Sequence, residues 1–324
     1  MSKKTSRREF LGAAGIAAGA ITGMMAGAES VEPAAAQAKQ VFGPQKSAKL
    51  RQLLDRPGTF YCIAAFDGPS ARLVEISGFD SIYVGGSLAA MEKSLPDQGM
   101  TNTQELLEFC RRISDNVDIP VIGDCDNGGG SPLTVYRATR DYERAGLAGV
   151  LFEDRIRLEK IGQQGDVVST AAMVERIHAA VDARTSMQIV GRTDALGIKK
   201  TEQETIERCQ AYAEAGADMI LMPGVQPLDL MKRVASVVKK PMLCQMGPDT
   251  AKEDAIKTGA KVLFYTSMVQ DIALAAYLQS LTELKNTGKM PNTFNSHKLP
   301  REITPLLEKN EELLARAKKY KVSP

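Results

Sequence analysis

The sequence of 324 residues contains no tryptophan and only two histidines, His178 and His297. Aromatic residues make up 5% of the chain, so it has few of the stacking side chains that bind single-stranded nucleic acids. The formal net charge is only +2, which gives little attraction for a phosphate backbone. Two histidines are too few for a multi-histidine zinc site and argue against a histidine-dependent triad. We therefore expect no nucleic-acid partner.

Cysteine is also scarce, and its spacing argues against two common uses of the residue. The five cysteines are an odd number, lack the short spacings of metal-binding pairs, and mostly lie in apolar segments. They are Cys62, Cys110, Cys125, Cys209 and Cys244. We interpret them as small buried side chains rather than as a disulfide framework.

The first 38 residues are predicted to be an export signal. Ser6-Arg7-Arg8-Glu9-Phe10-Leu11 resembles a twin-arginine signal, residues 11–28 carry no charge, and residues 36–38 (Ala-Gln-Ala) offer a cleavage site. A weak membrane anchor is the alternative, since eighteen uncharged residues can just span a bilayer. The abundance of Gly and Ala favours cleavage. We expect a mature chain of residues 39–324, periplasmic or secreted, with no stable membrane span.

The mature chain alternates short apolar runs with helical patterns, as α/β proteins do. Eight runs are apolar without clean alternation, which is typical of parallel strands covered on both faces. They are Tyr61–Ala65, Ser81–Val84, Val121–Asp124, Val150–Glu153, Gln188–Gly191, Met219–Met222, Pro241–Gln245 and Lys261–Tyr265. Four predicted helices end at a glycine shortly before a strand, as βαβ units require. The simplest closure is a (β/α)₈ TIM barrel over residues 39–285.

An open, doubly wound sheet is the alternative architecture, but no Gly-x-Gly-x-x-Gly loop follows the first strand. Residues 286–324 are predicted to form a C-terminal helical tail. Within it, Glu302–Tyr320 has the pattern of one charged helix with leucines on part of one face. Such a helix can pack on its own barrel or on a neighbouring subunit, and the pattern does not decide between them.

The stretch from Pro120 to Gly130 joins an apolar run to Asp124, Asp126 and a glycine loop. In an extended chain alternate side chains share a face, so the two carboxylates are expected to point the same way. Paired carboxylate oxygens suit Mg²⁺, with Mn²⁺ as a second choice. A polar turn after a strand is the alternative, because Asp, Asn and Gly are common in turns.

The ends of the neighbouring predicted strands favour the metal site. Catalytic residues of a (β/α)₈ barrel follow the carboxyl ends of its strands. Glu153 ends the fourth predicted strand and Arg192 follows the fifth, which is the composition of a Mg²⁺ site beside a carboxylate-binding site. Gly85 and Gly86, after the second strand, would let backbone N–H groups approach an oxyanion.

An ordered set of motifs resembles the isocitrate lyase / phosphoenolpyruvate mutase superfamily over roughly residues 60–280. The motifs are Phe66-Asp67, Ser70-Ala71-Arg72-Leu73, Gly78-Phe79-Asp80-Ser81-Ile82-Tyr83-Val84, Leu95-Pro96-Asp97-Gln98-Gly99, Asp124-Cys125-Asp126-Asn127-Gly128-Gly129-Gly130, Leu151-Phe152-Glu153-Asp154, Gly191-Arg192-Thr193-Asp194-Ala195 and Ala213-Glu214-Ala215-Gly216-Ala217-Asp218. The resemblance implies a Mg²⁺-dependent barrel enzyme that handles small 2-oxo or 2-hydroxy acids through a metal-stabilised enolate. It also implies a homo-oligomer, a dimer or a tetramer, with a C-terminal helix exchanged between subunits.

The resemblance assigns roles to residues by their position in these motifs. The implied metal ligands are Asp97, Asp124, Asp126 and Glu153. The implied substrate-binding residues are Tyr83, Gly85, Gly86, Ser87, Arg192 and Gln245. The predicted catalytic residues are Arg192, Asp97 and Lys160.

The loop after the fourth strand departs from the lyases of the superfamily, whose Lys-Arg-Cys-Gly-His loop carries a cysteine proton donor. Here it reads Glu159-Lys160-Ile161-Gly162-Gln163, so Ile161 replaces the cysteine and Gln163 the histidine. Lys160 or a water would have to protonate the departing carbanion.

We therefore predict a Mg²⁺-dependent lyase or decarboxylase that acts on a small 2-oxo or 2-hydroxy carboxylate or dicarboxylate. Decarboxylation of the oxaloacetate type fits the missing acid, because it needs mainly an electron sink. Two alternatives stay open. One is an enzyme that breaks or moves a C–P bond, as in phosphonopyruvate chemistry; the other is an exported, non-catalytic dicarboxylate-binding protein.

Overall fold

The computed structural model describes residues 43–156, 165–198, 200–296 and 298–321, with only the backbone of residue 295. The predicted export signal and Lys160, with the rest of residues 157–164, lie outside the described residues. Among the helices described, none has the length and apolar character needed to cross a membrane.

Eight parallel strands close into a barrel. In chain order they are β1 (Phe60–Ala64), β2 (Ser81–Val84), β3 (Val121–Asp124), β4 (Gly149–Glu153), β7 (Gln188–Arg192), β8 (Met219–Leu221), β9 (Met242–Gln245) and β10 (Val262–Tyr265). The strands β5 (Arg155–Ile156) and β6 (Asp166–Val167) form a separate hairpin outside the barrel. Each barrel strand pairs with the next of its set, and β10 pairs with β1, where Val262 lies beside Phe60. The barrel confirms the predicted fold class, and the predicted strand ends lie within one residue of the observed ones.

Helices connect the strands and cover the barrel. They are α1 (Gly43–Asp55), α2 (Gly68–Ile76), α3 (Gly86–Glu92), α4 (Thr103–Ser114), α5 (Pro132–Arg144), α6 (Thr170–Ala183), α7 (Glu202–Glu214), α8 (Leu228–Val238), α9 (Lys252–Lys257) and α10 (Met268–Thr287). Helix α4 begins at Thr103 because the Asn102 side chain accepts the backbone N–H groups of Gln104 and Glu105. The four glycines predicted to close helices before strands all adopt positive φ.

A short antiparallel hairpin interrupts the barrel pattern after β4. It consists of β5 (Arg155–Ile156) and β6 (Asp166–Val167). Sequence reasoning missed it, because two-residue strands are too short to show a period. The hairpin begins directly after the carboxyl end of β4, so it lies at the carboxyl end of the barrel.

The core lies inside the barrel and between the strands and the helices. Phe60, Phe152 and Tyr142 are among its largest fully buried side chains. All five cysteines are buried and free, as predicted. The interior of the barrel is thus packed with apolar side chains.

The C-terminal tail differs from the prediction. The predicted single helix Glu302–Tyr320 consists of α12 (Ile303–Leu307) and α13 (Asn310–Lys319), with Lys309 at φ 53° between them; α11 (Asn292–Ser296) precedes both. Arg72 on α2 donates to the Leu306 carbonyl at 2.8 Å, so α12 packs on its own barrel.

Candidate active site

The predicted site residues lie at the carboxyl ends of the barrel strands. Asp124, Glu153 and Gln245 are the last residues of β3, β4 and β9, and Arg192 is the last residue of β7. Tyr83 lies in β2, one residue before its end. Because all of these strands are parallel, their ends meet at one face of the barrel.

Asp124 is the most tightly held of these side chains. Its Oδ2 accepts the Tyr83 hydroxyl at 2.8 Å and the Gly86 backbone N–H at 3.1 Å. Its Oδ1 accepts the Asp126 N–H at 3.0 Å. The Tyr142 hydroxyl fixes its backbone carbonyl at 2.7 Å. Three donors on a side chain that is 3% exposed leave the carboxylate a single orientation.

Tyr83 is a donor rather than an acceptor in this group. Burial, and next the Asp124 carboxylate, raise the pKa of Tyr83 well above its usual value. The hydroxyl therefore stays protonated and donates to Asp124. The Tyr83 ring meets Phe264 edge-on at 4.7 Å, which holds it against the barrel wall.

Asp126 lies beside Asp124, but for a different reason from the one predicted. Its φ is 49°, so the chain is left-handed here and not extended. A Cβ on Gly86 would stand 3.0 Å from Asp126 Oδ1 and 3.4 Å from Asp124 Oδ2. The two carboxylates therefore face one small space, which Gly86 leaves open.

Glu153 and Arg192 form an ion pair next to these acids. Glu153 is fully buried, and its Oε2 lies 3.2 Å from Arg192 Nη2. Asp194 binds the same guanidinium in two places, at 2.8 Å from Nε and 2.8 Å from Nη2. Burial alone would lower the pKa of Arg192, but Glu153 and Asp194 outweigh it and hold the pKa well above its usual value. Arg192 is thus a permanent cation.

Two predicted substrate contacts are used within the protein itself. The Gly86 N–H, predicted to meet a substrate oxyanion, donates to Asp124. Gln245 accepts the Gly224 N–H at 2.8 Å and donates to Thr266 at 3.3 Å. Gly85 precedes α3 and leaves room for the Tyr83 ring. A Cβ added to Gly85 would stand 2.8 Å from the edge of that ring. Ser87 is exposed in the first turn of α3.

A sequence profile described as phosphoenolpyruvate phosphomutase matches residues 50–285. The chain belongs to this family. It is therefore a member of the isocitrate lyase / phosphoenolpyruvate mutase superfamily, as its motifs predicted.

Relatives within the superfamily are named for different reactions. A probable 2-methylisocitrate lyase 2 of Corynebacterium glutamicum is 34% identical over 251 residues, which are 74% of this chain and 80% of that protein. Oxaloacetate decarboxylase 1 of Pseudomonas fluorescens is 32% identical over 277 residues, 83% of this chain and 94% of that one. A solved phosphonopyruvate hydrolase, in complex with oxalate and Mg²⁺, is 26% identical, with a TM-score of 0.76, and covers 85% of this chain and 99% of that one. The reaction must be argued from this chain's own residues.

The two aspartates suit the Mg²⁺ that the superfamily implies. Mg²⁺ is often held by one or two protein carboxylates, with waters and substrate oxygens as its other ligands. Asp124 and Asp126 supply such a pair, facing one space. Within the part of the chain that the structure describes, no group of three or more His, Cys, Asp or Glu side chains is placed to hold a metal ion. Asp97, predicted as a further ligand, is exposed on the loop between α3 and α4.

The cysteines do not supply a proton donor for this site. All five are at most 4% exposed, and none lies between residues 159 and 163. Burial raises the pKa of Cys62 and of Cys209 to about 12 and also raises those of the other three. The thiols are therefore buried and stay protonated at neutral pH.

Sequence reasoning missed Tyr142, which holds the backbone of Asp124. It placed Asp154 and Asp194 at strand ends but gave them no role; Asp194 pairs with Arg192, and Asp154 accepts the Asp194 N–H in the turn after β7. The spacing of Asp194, two residues after Arg192 at a strand end, was a usable signal. Tyr142 lies on α5, and no local pattern links it to β3.

A groove of about 1000 Å³ runs along α4 and α5, outside this site. It is lined by residues of α4, α5 and the start of α1, which carry charges of both signs, among them Lys46, Arg111, Glu143 and Arg144. It shares no residue with the site above, and its mixed charge favours no one class of ligand.

Proposed function

We propose that the protein is a Mg²⁺-dependent decarboxylase or lyase of a small 2-oxo or 2-hydroxy dicarboxylate, with oxaloacetate-type decarboxylation as the preferred reaction. The observation that carries the proposal is the group of four carboxyl side chains around one guanidinium, at the carboxyl ends of β3, β4 and β7. These are Asp124, Asp126, Glu153 and Asp194, with Arg192. The acids exceed the bases by three, an imbalance that a divalent cation relieves.

The residues of this chain have separable tasks in that reaction. Asp124 and Asp126 would hold Mg²⁺, and Mn²⁺ has the same ligand preference. When bound, the cation supplies a Lewis acid that draws electrons from a 2-oxo group. Arg192 contacts its neighbours through Nε and Nη2, so we assign Nη1 to a substrate carboxylate. Glu153 and Asp194 keep the guanidinium fixed while the C–C bond breaks.

Decarboxylation is preferred over aldol-type cleavage because the site lacks the cysteine proton donor of the superfamily's lyases. Cleavage leaves a carbanion or enolate that a positioned acid must protonate. The superfamily's cysteine is Ile161 here, and the cysteines of the chain are buried with raised pKa values. When CO₂ leaves, the electron pair of the broken C–C bond is taken up by the 2-oxo group as an enolate. Water can protonate this enolate afterwards.

A substrate panel tests the reaction. Purified protein stripped with a chelator and reloaded with Mg²⁺ should convert oxaloacetate to pyruvate and CO₂. Pyruvate and phosphate from phosphonopyruvate would instead support C–P chemistry. Turnover of 2-methylisocitrate or 2,3-dimethylmalate would support a lyase. A Mg²⁺-dependent rise in Tm with oxalate, without any turnover, would support a binding protein.

The metal site is tested by a pair of isosteric variants. Asp124→Asn should reduce Mg²⁺-dependent turnover at least 100-fold, since it removes the oriented carboxylate. Asp218→Asn is the control, because Asp218 is 7% exposed and ion-paired at the amino end of β8. Full activity in Asp124→Asn would overturn the proposed metal site.

We also propose a homo-oligomer, a dimer or a tetramer, that buries α10. In this 20-residue helix only Gln270 is buried. Its apolar side chains are at least 43% exposed at Met268, Ile272, Leu274, Tyr277, Leu278, Leu281 and Leu284. Exposed apolar side chains along the whole length of one helix favour an interface over a solvated surface.

We propose export by the twin-arginine route, on the basis of Arg7 and Arg8 ahead of the uncharged segment. Changing both to lysine keeps the charge and should retain the precursor in the cytoplasm. Immunoblotting of cell fractions measures the export. Export of the double variant at the wild-type level would contradict the route.

A further inference from the structure

The acid that follows Glu153 has no place in the reaction above, yet its carboxylate accepts four hydrogen bonds. Asp154 is fully buried. Its Oδ2 accepts the Thr193 hydroxyl at 2.7 Å, the Tyr212 hydroxyl at 2.7 Å and the Arg208 guanidinium at 3.3 Å. Its Oδ1 accepts the Asp194 N–H at 2.9 Å.

Two of these donors belong to the turn that carries Asp194. Asp154 directly follows β4. The backbone of the turn is therefore held by a residue at the end of the neighbouring strand as well as by its own strand, β7. The Asp154 N–H also donates to the Arg192 carbonyl at 3.2 Å. Asp154 thus fixes the backbone on both sides of Thr193.

The fixed position of this turn orients the guanidinium of Arg192. Asp194 grips Arg192 through Nε and Nη2, so any shift of the Asp194 backbone moves both contacts. Glu153, 3.2 Å from Arg192 Nη2, would lose its alignment as well. The chain of contacts runs from Asp154 through Asp194 to Arg192 without a gap.

We infer that Asp154 is a positioning residue for Arg192, acting through Thr193 and Asp194. The inference rests on the proposed function in one respect, the role of Arg192 in binding a substrate carboxylate. It adds that the accuracy of this clamp is set by a carboxylate that touches neither substrate nor metal.

A second set of contacts extends the same control to the hairpin. The Val168 N–H donates to the Asp154 carbonyl at 2.8 Å, and Arg208 donates to the Val168 carbonyl at 2.8 Å. Asp154 and Arg208 therefore hold the exit of the β5–β6 hairpin on the same network.

Asp154→Asn is the first test, because the amide keeps the shape but replaces one acceptor oxygen by an NH₂ group. On oxaloacetate with Mg²⁺ it should lower kcat/KM about 10- to 100-fold, the usual effect of removing a partner that orients a ligand-binding residue. In an Arg192→Lys background the same change should have little further effect, because the residue it positions is gone.

Asp218→Asn is the matched control. Asp218 is also a buried carboxylate beside β7, where it accepts the Ile189 N–H at 2.8 Å and pairs with Arg51 and Arg184. It lies at the amino end of that strand, remote from Arg192. Its loss should lower Tm and leave kcat/KM unchanged.

A readout independent of turnover separates this inference from the proposed function. The ¹⁵N signal of Arg192 Nε–H, identified by its absence in Arg192→Lys, should move in Asp154→Asn and stay in place in Asp218→Asn. An unmoved signal with an unchanged kcat/KM and a lowered Tm would overturn the positioning role. Wild-type protein that fails to decarboxylate oxaloacetate would overturn the proposed function alone, since the signal can still be read.

Thr193→Val and Tyr212→Phe keep the inference testable if Asp154→Asn does not fold. Each removes one hydroxyl donor and little volume. Thr193→Val should displace the Arg192 signal more than Tyr212→Phe, because Thr193 lies in the turn and Tyr212 on α7. Equal, wild-type spectra for both variants would contradict the inference.

Discussion

At the residue scale, the site depends on one aspartate in a conformation that aspartate seldom adopts. Asp126 has a φ of 49°, which costs a non-glycine residue about 1 kcal/mol. Its carbonyl accepts the Glu153 N–H at 2.9 Å, and its own N–H is donated to Asp124. These two bonds hold the strained residue in place, and the result is a carboxylate turned beside that of Asp124.

Gly86→Ala is expected to damage the site without unfolding the barrel. The added Cβ would stand 3.0 Å from Asp126 Oδ1 and 3.4 Å from Asp124 Oδ2. Displacing either carboxylate by a fraction of an ångström should lower Mg²⁺-dependent kcat/KM by roughly 100-fold. Steady-state kinetics and Mg²⁺ titration calorimetry provide the measurement.

Gly197→Ala is the control for that change. A Cβ there meets nothing within 4 Å among the described residues, and its φ is not positive. It should keep wild-type kinetics. Equal activity of the two variants would mean that the space beside Gly86 is not used.

At the element scale, a buried lysine joins α1, the helix before the barrel, to the end of α4, one of the helices that surround the barrel. Lys46 on α1 is 4% exposed, and its Nζ donates to the Ser114 carbonyl at 2.6 Å and the Ser114 hydroxyl at 3.1 Å. Burial lowers the pKa of Lys46 to about 8, although Asp118, Asp115 and Glu75 oppose this. The folded protein therefore releases this proton at a lower pH than the unfolded chain does.

The free energy of unfolding should depend on pH through Lys46. Between about pH 8 and pH 10.5 the unfolded state binds more protons at this residue, so its contribution to stability rises with pH. Over that interval the rise is at most about 3.5 kcal/mol, because one proton over one pH unit is worth about 1.4 kcal/mol. Urea unfolding of wild type and Lys46→Met from pH 7 to 10 measures it. The two proteins share every other titrating group, so parallel pH curves would refute the assignment.

The elements were largely predictable from sequence, because burial on both faces leaves a strong trace. A run such as Val121–Ile122 between a helix-ending signal and a polar turn has few other interpretations. The β5–β6 hairpin and the break at Lys309 leave no such trace. Each depends on two or three residues whose conformation is chosen by distant contacts.

The location of the candidate site was predictable for the same reason, whereas its internal pairing was not. Strand ends converge in any barrel, so Asp124, Glu153 and Arg192 could be grouped from their positions alone. Which donor meets which acceptor depends on rotamers and on neighbouring strands. The Gly86 N–H therefore serves Asp124, and Arg192 is gripped by Asp194. The predictions for Lys160 and Asp97 are not tested by these contacts.

At the scale of the whole molecule, the apolar face of α10 should determine the state of assembly. Leu278 is 69% exposed in the middle of this face. Leu278→Glu places a charge there and should shift the protein to monomers, measured by light scattering after size exclusion, with unchanged circular dichroism. Leu133→Glu, on α5 and 83% exposed in the subunit, should keep the wild-type mass. A wild-type protein that is already monomeric would refute the proposed oligomer.

The five buried thiols have a consequence for the export that we propose. They are at most 4% exposed while the barrel is closed, but each becomes an ordinary reactive thiol once the chain opens. We expect thermal unfolding to be reversible with a reductant present and irreversible with oxidised glutathione, as judged by recovered circular dichroism after cooling. Equal recovery in both would contradict this. In an oxidising compartment every opening then risks mispaired disulfides, so the working lifetime of the protein is set by how seldom it opens and less by its average stability.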